Sequence, residues 1–309
     1  MCQVSFVVPA LNEGRHIREL YQNVTEITPP GVTWELVVVD NGSTDDTLQI
    51  AASLPNTVGI QARGTVGACR NAGVARARGS VLAFLDADIR LTPEWRASIE
   101  SVLERLVRDE RIVTGSTVSV PDDPTCIERY WFAPMCDRPR QYINSAHLIV
   151  TRTLFDRVGG FDESLRTGED FDFSERARRA GAQIVSDSRL RAIHLGFPRT
   201  LREFANREMW HGQGDAGTFK RFLASRVAIT SVVFSALLVG GVIAAIAAHS
   251  WLPLLIALVV CAGIAGLSAL KRTGFVGIVS LFVNTALYHL YFLCRTAALV
   301  RSTRSWRQT

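Results

Sequence analysis

Val81-Leu82-Ala83-Phe84-Leu85-Asp86-Ala87-Asp88 is the stretch on which the fold turns. Its five apolar residues read as a strand buried on both faces, the pattern of a central strand in a parallel sheet. The run stops at Asp86, and a second carboxylate follows at Asp88. On a strand, positions i and i+2 share a side, which predicts a separation of roughly 6–7 Å. Two charges at that distance repel by about 2–3 kcal/mol in a medium of effective dielectric near 20. The pair therefore needs a cation, a shared proton or open solvent. Strand carboxyl ends are where open α/β sheets bind ligands, and a hard divalent ion bridging to substrate phosphates would use such a pair directly. A solvated acidic turn is the plain alternative.

Upstream, residues 3–9 form another apolar run, followed by the loop Ala10-Leu11-Asn12-Glu13-Gly14 and a helix over 15–27 closed by Pro29-Pro30-Gly31. Residues 34–39 are a third apolar strand, stopping at Asp40 before a turn dense in N-cap residues, Asn41 to Thr47. A short strand over 58–61 and a helix over 68–77 precede the quoted run. This strand–helix rhythm implies right-handed crossovers and a parallel sheet. Three strands then end in Asn12/Glu13, Asp40 and Asp86/Asp88 on one edge, which makes a polar cleft.

Downstream, Thr92-Pro93-Glu94 starts a helix reaching about residue 108. Strands are expected at 112–120, 146–151, 184–185 and 191–194. Residues 121–145 are irregular, with Tyr130 and Trp131 near Arg138 and Arg140; the aromatics are read as packing rather than stacking on a sugar. A helix running to Ala180 follows Thr167-Gly168-Glu169-Asp170. Thr167 can cap it, and acids suit its N-terminal end. Asp170 is read either as part of that cap or as a general base facing the cleft. His194 is a polar strand end or a metal ligand.

The composition changes near Arg226. Three uncharged runs follow, 227–248, 251–270 and 275–294, each of a length that crosses a ~30 Å hydrocarbon core as a helix. Arg221 and Arg226 precede the first run and Lys271-Arg272 follow the second, so by the positive-inside rule the N-terminal domain is cytoplasmic. A third full span would carry Arg295, Arg301, Arg304 and Arg307 outside. The third segment is therefore expected to be re-entrant or to lie along the interface. The domains expected are 1–215 and 216–309, with inner-membrane, multi-pass placement.

The chain has 309 residues and a formal charge of +5, with scattered basic residues that do not point to nucleic acid. Six cysteines without C-x-x-C pairing argue against a zinc site or a disulfide framework and fit a reducing compartment. The first ten residues read as a strand rather than a signal peptide.

Taken together, the motifs Val8-Pro9-Ala10-Leu11-Asn12-Glu13, Asp40-Asn41-Gly42-Ser43-Thr44-Asp45, Ala68-Cys69-Arg70-Asn71-Ala72-Gly73, Asp86-Ala87-Asp88, Val158-Gly159-Gly160-Phe161-Asp162-Glu163 and Gly168-Glu169-Asp170 resemble glycosyltransferase family 2. These are inverting enzymes with a GT-A fold, and the C-terminal spans resemble the membrane-anchored bacterial branch. The resemblance implies an α/β, Rossmann-like, mostly parallel sheet followed by transmembrane helices. It implies that Pro9, Asn12, Glu13, Asp40, Arg70 and Asp86 serve the nucleotide-sugar donor. Asp88, with Asp86 and His194, would hold Mg²⁺ or Mn²⁺, and Asp170, with Glu169, would act in catalysis. The polymerases of this family carry Gln-x-x-Arg-Trp; here Asn206-Arg207-Glu208-Met209-Trp210 differs in spacing, and Arg207 is left to neutralise a leaving diphosphate. The expected partners are a nucleotide sugar, a lipid-linked or saccharide acceptor and membrane lipid. A polyprenyl-phosphate glycosyltransferase and a non-catalytic membrane scaffold are the competing readings. A transporter is disfavoured, because none of the apolar runs carries an internal acid.

Overall fold

A computed structural model describes residues 3–136, 141–215 and 219–305. Cys2, Arg138, Arg140 and Arg307 lie outside them, as do the side chains of Arg221, Arg301 and Arg304. The chain opens β1 (Val4–Ala10), α1 (Gly14–Ile27), β2 (Trp34–Asp40), α2 (Thr47–Ser53), β3 (Thr57–Gln61), α3 (Val66–Val74) and β4 (Val81–Leu85). Next come β5 (Ile89–Leu91), α4 (Pro93–Arg108), β6 (Ile112–Gly115), a π-helical turn Glu128–Phe132 and α5 (Ala133–Cys136). There follow β7 (His147–Thr151), α6 (Arg152–Val158), α7 (Glu169–Arg179), β8 (Gln183–Ser186), β9 (Ala192–His194) and α8 (Leu201–Asp215). The remaining helices are α9 (Phe219–Ala224), α10 (Arg226–Ala247), α11 (Leu252–Thr273) and α12 (Ile278–Ser305). Two compact units result: Met1–Asp123 with Cys136–Phe197, and Pro124–Met135 with Pro198–Thr309.

The first unit is a seven-stranded sheet in the order β3-β2-β1-β4-β7-β6-β8. β1, β2, β3 and β4 are parallel, so β1, β2 and β4 end on one edge, where Ala10 pairs with Asp40. β7 runs antiparallel between β4 and β6. The sequence did not predict this reversal, because an apolar run carries no direction. Alternation along β4 explains the continuous apolar stretch. Val81, Ala83 and Leu85 join the core under α1 and α4, while Leu82 and Phe84 join the one under α6 and α7. Gly73 lets α3 press on the sheet, since a Cβ there would lie 2.5 Å from Val7 Cγ1.

Three local expectations change. β6 stops at Gly115, and Ser119 makes only an isolated bridge with Ile193. The cap of α7 is Gly168 at φ 82°, with no side-chain cap, rather than Thr167; the left-handed backbone there suits glycine. Asp86 and Asp88 do not continue a strand. β4 ends at Leu85, and a tight turn closes with Ile89 N–H donating to the Asp86 carbonyl at 3.2 Å.

In the second unit, α10 and α11 pack antiparallel, with Cys261 against the Phe234 carbonyl and Gly241 against Ala257. All three of α10, α11 and α12 are long and apolar enough to cross a membrane. α12 is antiparallel to α10: Phe292 stacks on Phe234, Thr296 Oγ1 donates to the Ser231 carbonyl at 2.8 Å, and Leu299 meets Ala228. The Arg295 end of α12 therefore returns to the end where α10 begins with Arg226. α8 packs in this unit too. Trp131 is buried against Phe204, Tyr288 and Tyr291, which bears out packing over sugar stacking.

Behind β4, His147 is fully buried. Trp95 Nε1 donates to its Nε2 at 3.1 Å, so Nδ1 carries the proton toward Ser116 Oγ at 2.8 Å. Burial lowers its pKa from 6.5 to about 3. The unfolded chain takes up this proton first, so the contribution is intact above pH 6.5 and is lost as pH falls toward 3. We expect thermal unfolding in a pH series to show this acid loss in the wild type and less of it in His147→Phe. That variant also strands Trp95 and Ser116 and should lose about 1–3 kcal/mol at neutral pH.

Candidate active site

The sheet edge gathers the polar strand ends of the first unit. Asp40, 1% exposed, accepts the N–H groups of Gly42 and Ser43 and fixes the loop after β2. Asn12, at φ 58°, accepts from Thr44 N–H at 2.8 Å, and its own N–H donates to Ser43 Oγ. The Glu13 carboxylate meets His16, and its N–H donates to Thr47 Oγ1 at 2.9 Å. These bonds stitch the loops after β1 and β2 into one wall. Pro9 lies half-buried on β1 beside them.

The second wall is built on a buried cation. Arg70 of α3 is 2% exposed. Its Nη2 donates to Asp86 Oδ1 at 2.6 Å and its Nη1 to Glu169 Oε1 at 2.8 Å. Ser145 Oγ donates to the same Glu169 oxygen at 3.0 Å. One guanidinium thus ties the end of β4 to the first turn of α7. Asn71, the next residue on α3, accepts from Phe161 N–H at 3.0 Å and donates to the Phe161 carbonyl at 2.9 Å, pinning the Gly160–Phe161 turn. The sequence marked Arg70 for the donor; the structure engages it between two carboxylates. Ser145 was not anticipated, since its loop carries no periodic signal.

Asp170 follows Glu169 and is 9% exposed. Its Oδ1 accepts Phe171 N–H at 2.8 Å. Burial and then the Glu169 charge raise its pKa from 3.8 to about 6. At pH 7 it is ionised yet far more basic than a solvated aspartate.

The tight turn and the β5–β9 ladder bring Asp88 to His194, which pairs with Ile89. Ligand atoms of Asp86, Asp88 and His194 lie within 4.8 Å of one another, closer than the strand spacing predicted. His194 Nε2 is 3.5 Å from Asp88 Oδ1. Asp88 Oδ1 and His194 Nδ1 are buried without hydrogen-bond partners. Burial first, then the Asp86 charge, raises the Asp88 pKa, with His194 opposing. Buried acceptors without partners are costly. Two carboxylate oxygens and an imidazole nitrogen suit Mg²⁺ or Mn²⁺, so the residues fit a divalent ion. Gly196 leaves the room: a Cβ there would sit 1.8 Å from Asp88 Oδ2. Arg207 lies on α8, in the second unit, paired with Glu208 at 2.8 Å.

A mostly parallel sheet with these acids on one edge, followed by apolar helices, defines a GT-A-like fold. Residues 5–161 match the model of glycosyl transferase family 2, and the chain belongs to that family. It is 30% identical over 195 residues to glycosyltransferase AglE of Haloferax volcanii, covering 59% of this chain and 63% of that protein. It is 34% identical over 113 residues to a dodecaprenyl-phosphate galacturonate synthase of Rhizobium johnstonii, 33% of each. The chain thus spans less than two thirds of these curated relatives. The fold matches a mannosyltransferase from Pyrobaculum calidifontis solved with GDP-Man and Mn²⁺, with a TM-score of 0.58 and 17% identity over 97% of this chain and 87% of that one.

Arg70→Met deprives Asp86 and Glu169 of their shared cation. We expect a loss of about 3–5 kcal/mol in denaturant unfolding. Arg70→Lys, which keeps the charge but not the fork, should lose part of that.

Proposed function

We propose that this chain transfers a sugar from a nucleotide-sugar donor to a hydroxyl of a lipid-linked saccharide, with inversion. The reading rests on one observation above all: Arg70 links the Asp86 side of the divalent-ion cluster to the first turn of α7, where Asp170 sits. Asp86, Asp88 and His194 would hold Mg²⁺ or Mn²⁺, which when bound offsets the charge of the departing diphosphate. Pro9, Asn12, Glu13 and Asp40 would border the nucleoside. Asp170 would take the acceptor proton at its carboxylate as the hydroxyl oxygen attacks the anomeric carbon. Attack opposite the leaving diphosphate inverts that carbon in a single displacement. Family membership supports the chemistry, and the three apolar helices support anchoring in the inner membrane with the first unit cytoplasmic.

The likeness to the dodecaprenyl-phosphate enzyme favours a second reading, a polyprenyl phosphate as acceptor. A phosphate nucleophile is already ionised, so Asp170 would matter little. The two readings separate in one experiment, release of nucleoside diphosphate by the membrane-extracted chain across pH. For a hydroxyl acceptor, kcat should rise with pH through about 6 as Asp170 ionises. Asp170→Asn should lose about 10²-fold or more while donor binding persists. Wild-type turnover in Asp170→Asn removes Asp170 as the base and leaves the phosphate acceptor.

A further inference from the structure

The first turn of α1 carries an imidazole that the sequence motifs left aside. The His16 side chain is 36% exposed, and its Nδ1 meets the Glu13 carboxylate. A carboxylate only accepts, so Nδ1 carries the proton and the ring is fixed from that side. Nε2 makes no hydrogen bond among the described residues.

The packing of α1 tells where the ring stands. Asn23 lies on the same helix face as His16, since the residues between them make almost two full turns. Asn23 grips β5 in both directions: its Nδ2 donates to the Leu91 carbonyl at 3.1 Å, and Leu91 N–H donates to its Oδ1 at 2.7 Å. Asp88 immediately precedes β5. From Leu91 back to Asp88 is about 10 Å of extended chain, and from Asn23 back to His16 is about 10.5 Å of helix. Both retreats lead to one sheet edge, because α1 follows β1, Asp88 follows β4, and those strands are parallel. One face of α1 therefore runs along β5 and brings His16 level with Asp88. The electrostatics agree: burial, first of all, raises the Asp88 pKa, and His194 and His16 both work against it.

His16 nevertheless stands beside the divalent-ion cluster rather than in it. The ligand atoms that lie within 4.8 Å of one another belong to Asp86, Asp88 and His194. In sugar transfer the ground next to such an ion is taken by the donor's phosphates. Arg70 is already engaged by Asp86 and Glu169. An imidazole braced by a carboxylate from behind is a directed donor, and its charged form makes a strong hydrogen bond to a phosphate oxygen.

We propose that His16, oriented by Glu13, donates Nε2–H to the diphosphate of the nucleotide-sugar donor beside the divalent-ion cluster. This rests on the sugar-transfer reading and deepens it. Glu13 serves the donor through His16, and the imidazole holds the leaving group from the α1 side.

Isothermal titration of the full chain in neutral detergent with Mn²⁺, using UDP and GDP as separate probes, tests this. His16→Leu should bind the preferred nucleotide about tenfold or more weakly. Glu13→Ala should weaken it in the same direction, and the double variant should bind no more weakly than His16→Leu alone, because Glu13 acts through the ring. Unchanged diphosphate affinity in His16→Leu, with only the melting temperature of the nucleotide-free protein lowered, would reduce the pair to a helix-start contact and overturn the proposal. So would a double variant whose loss is the product of the two single losses. Both of those results leave the donor reading standing. A wild type that binds neither nucleotide overturns the sugar-transfer reading and this proposal with it.

Discussion

The first unit depends on one buried cation. Arg70 sits beneath the sheet edge with a carboxylate on each arm, Asp86 from β4 and Glu169 from α7. Desolvating a guanidinium is tolerable only when its partners are close and well aimed, which both are. The geometry also works in the other direction. Two acids that would repel each other, and that stand beside the further charges of Asp88 and Asp170, are held together because Arg70 lies between them. Residues 99 positions apart in the chain thereby share one small volume.

Around that cation the two kinds of reactive group are kept in different environments. Asp88 and His194 are aligned by a turn and a two-stranded ladder, and both keep a buried atom free of hydrogen bonds. Asp170 is held by a helix start whose cap is a left-handed glycine, and burial beside Glu169 makes it basic. In the proposed reaction the two would be complementary: a divalent ion held by the cluster would balance the departing charge, and the carboxylate with a raised pKa would remove a proton.

Much of this was legible in the chain. The parallel strands show as apolar runs that stop at acids, and the six ordered motifs point to the family that the comparisons support. What was hidden depends on contacts distant in sequence. Nothing around residues 146–151 tells that β7 runs backwards, because burial pattern is indifferent to direction. The Asp86–Asp88 turn is hidden because a strand and a turn look alike over three residues. Arg70 reads as one more basic residue until Glu169 is seen against it. The partners of α12 are likewise hidden in the chain, since Phe234, Ser231 and Ala228 meet Phe292, Thr296 and Leu299 across some sixty residues.

The central claim is that acids from neighbouring strand ends, with His194, make one divalent-ion site that serves a nucleotide. Electron paramagnetic resonance of Mn²⁺ titrated into the full chain with UDP or GDP tests it directly. The free Mn²⁺ signal should be quenched stoichiometrically by the wild type and persist with Asp88→Ala and His194→Ala. Equal quenching by all three proteins, or none by the wild type with either nucleotide, would contradict it.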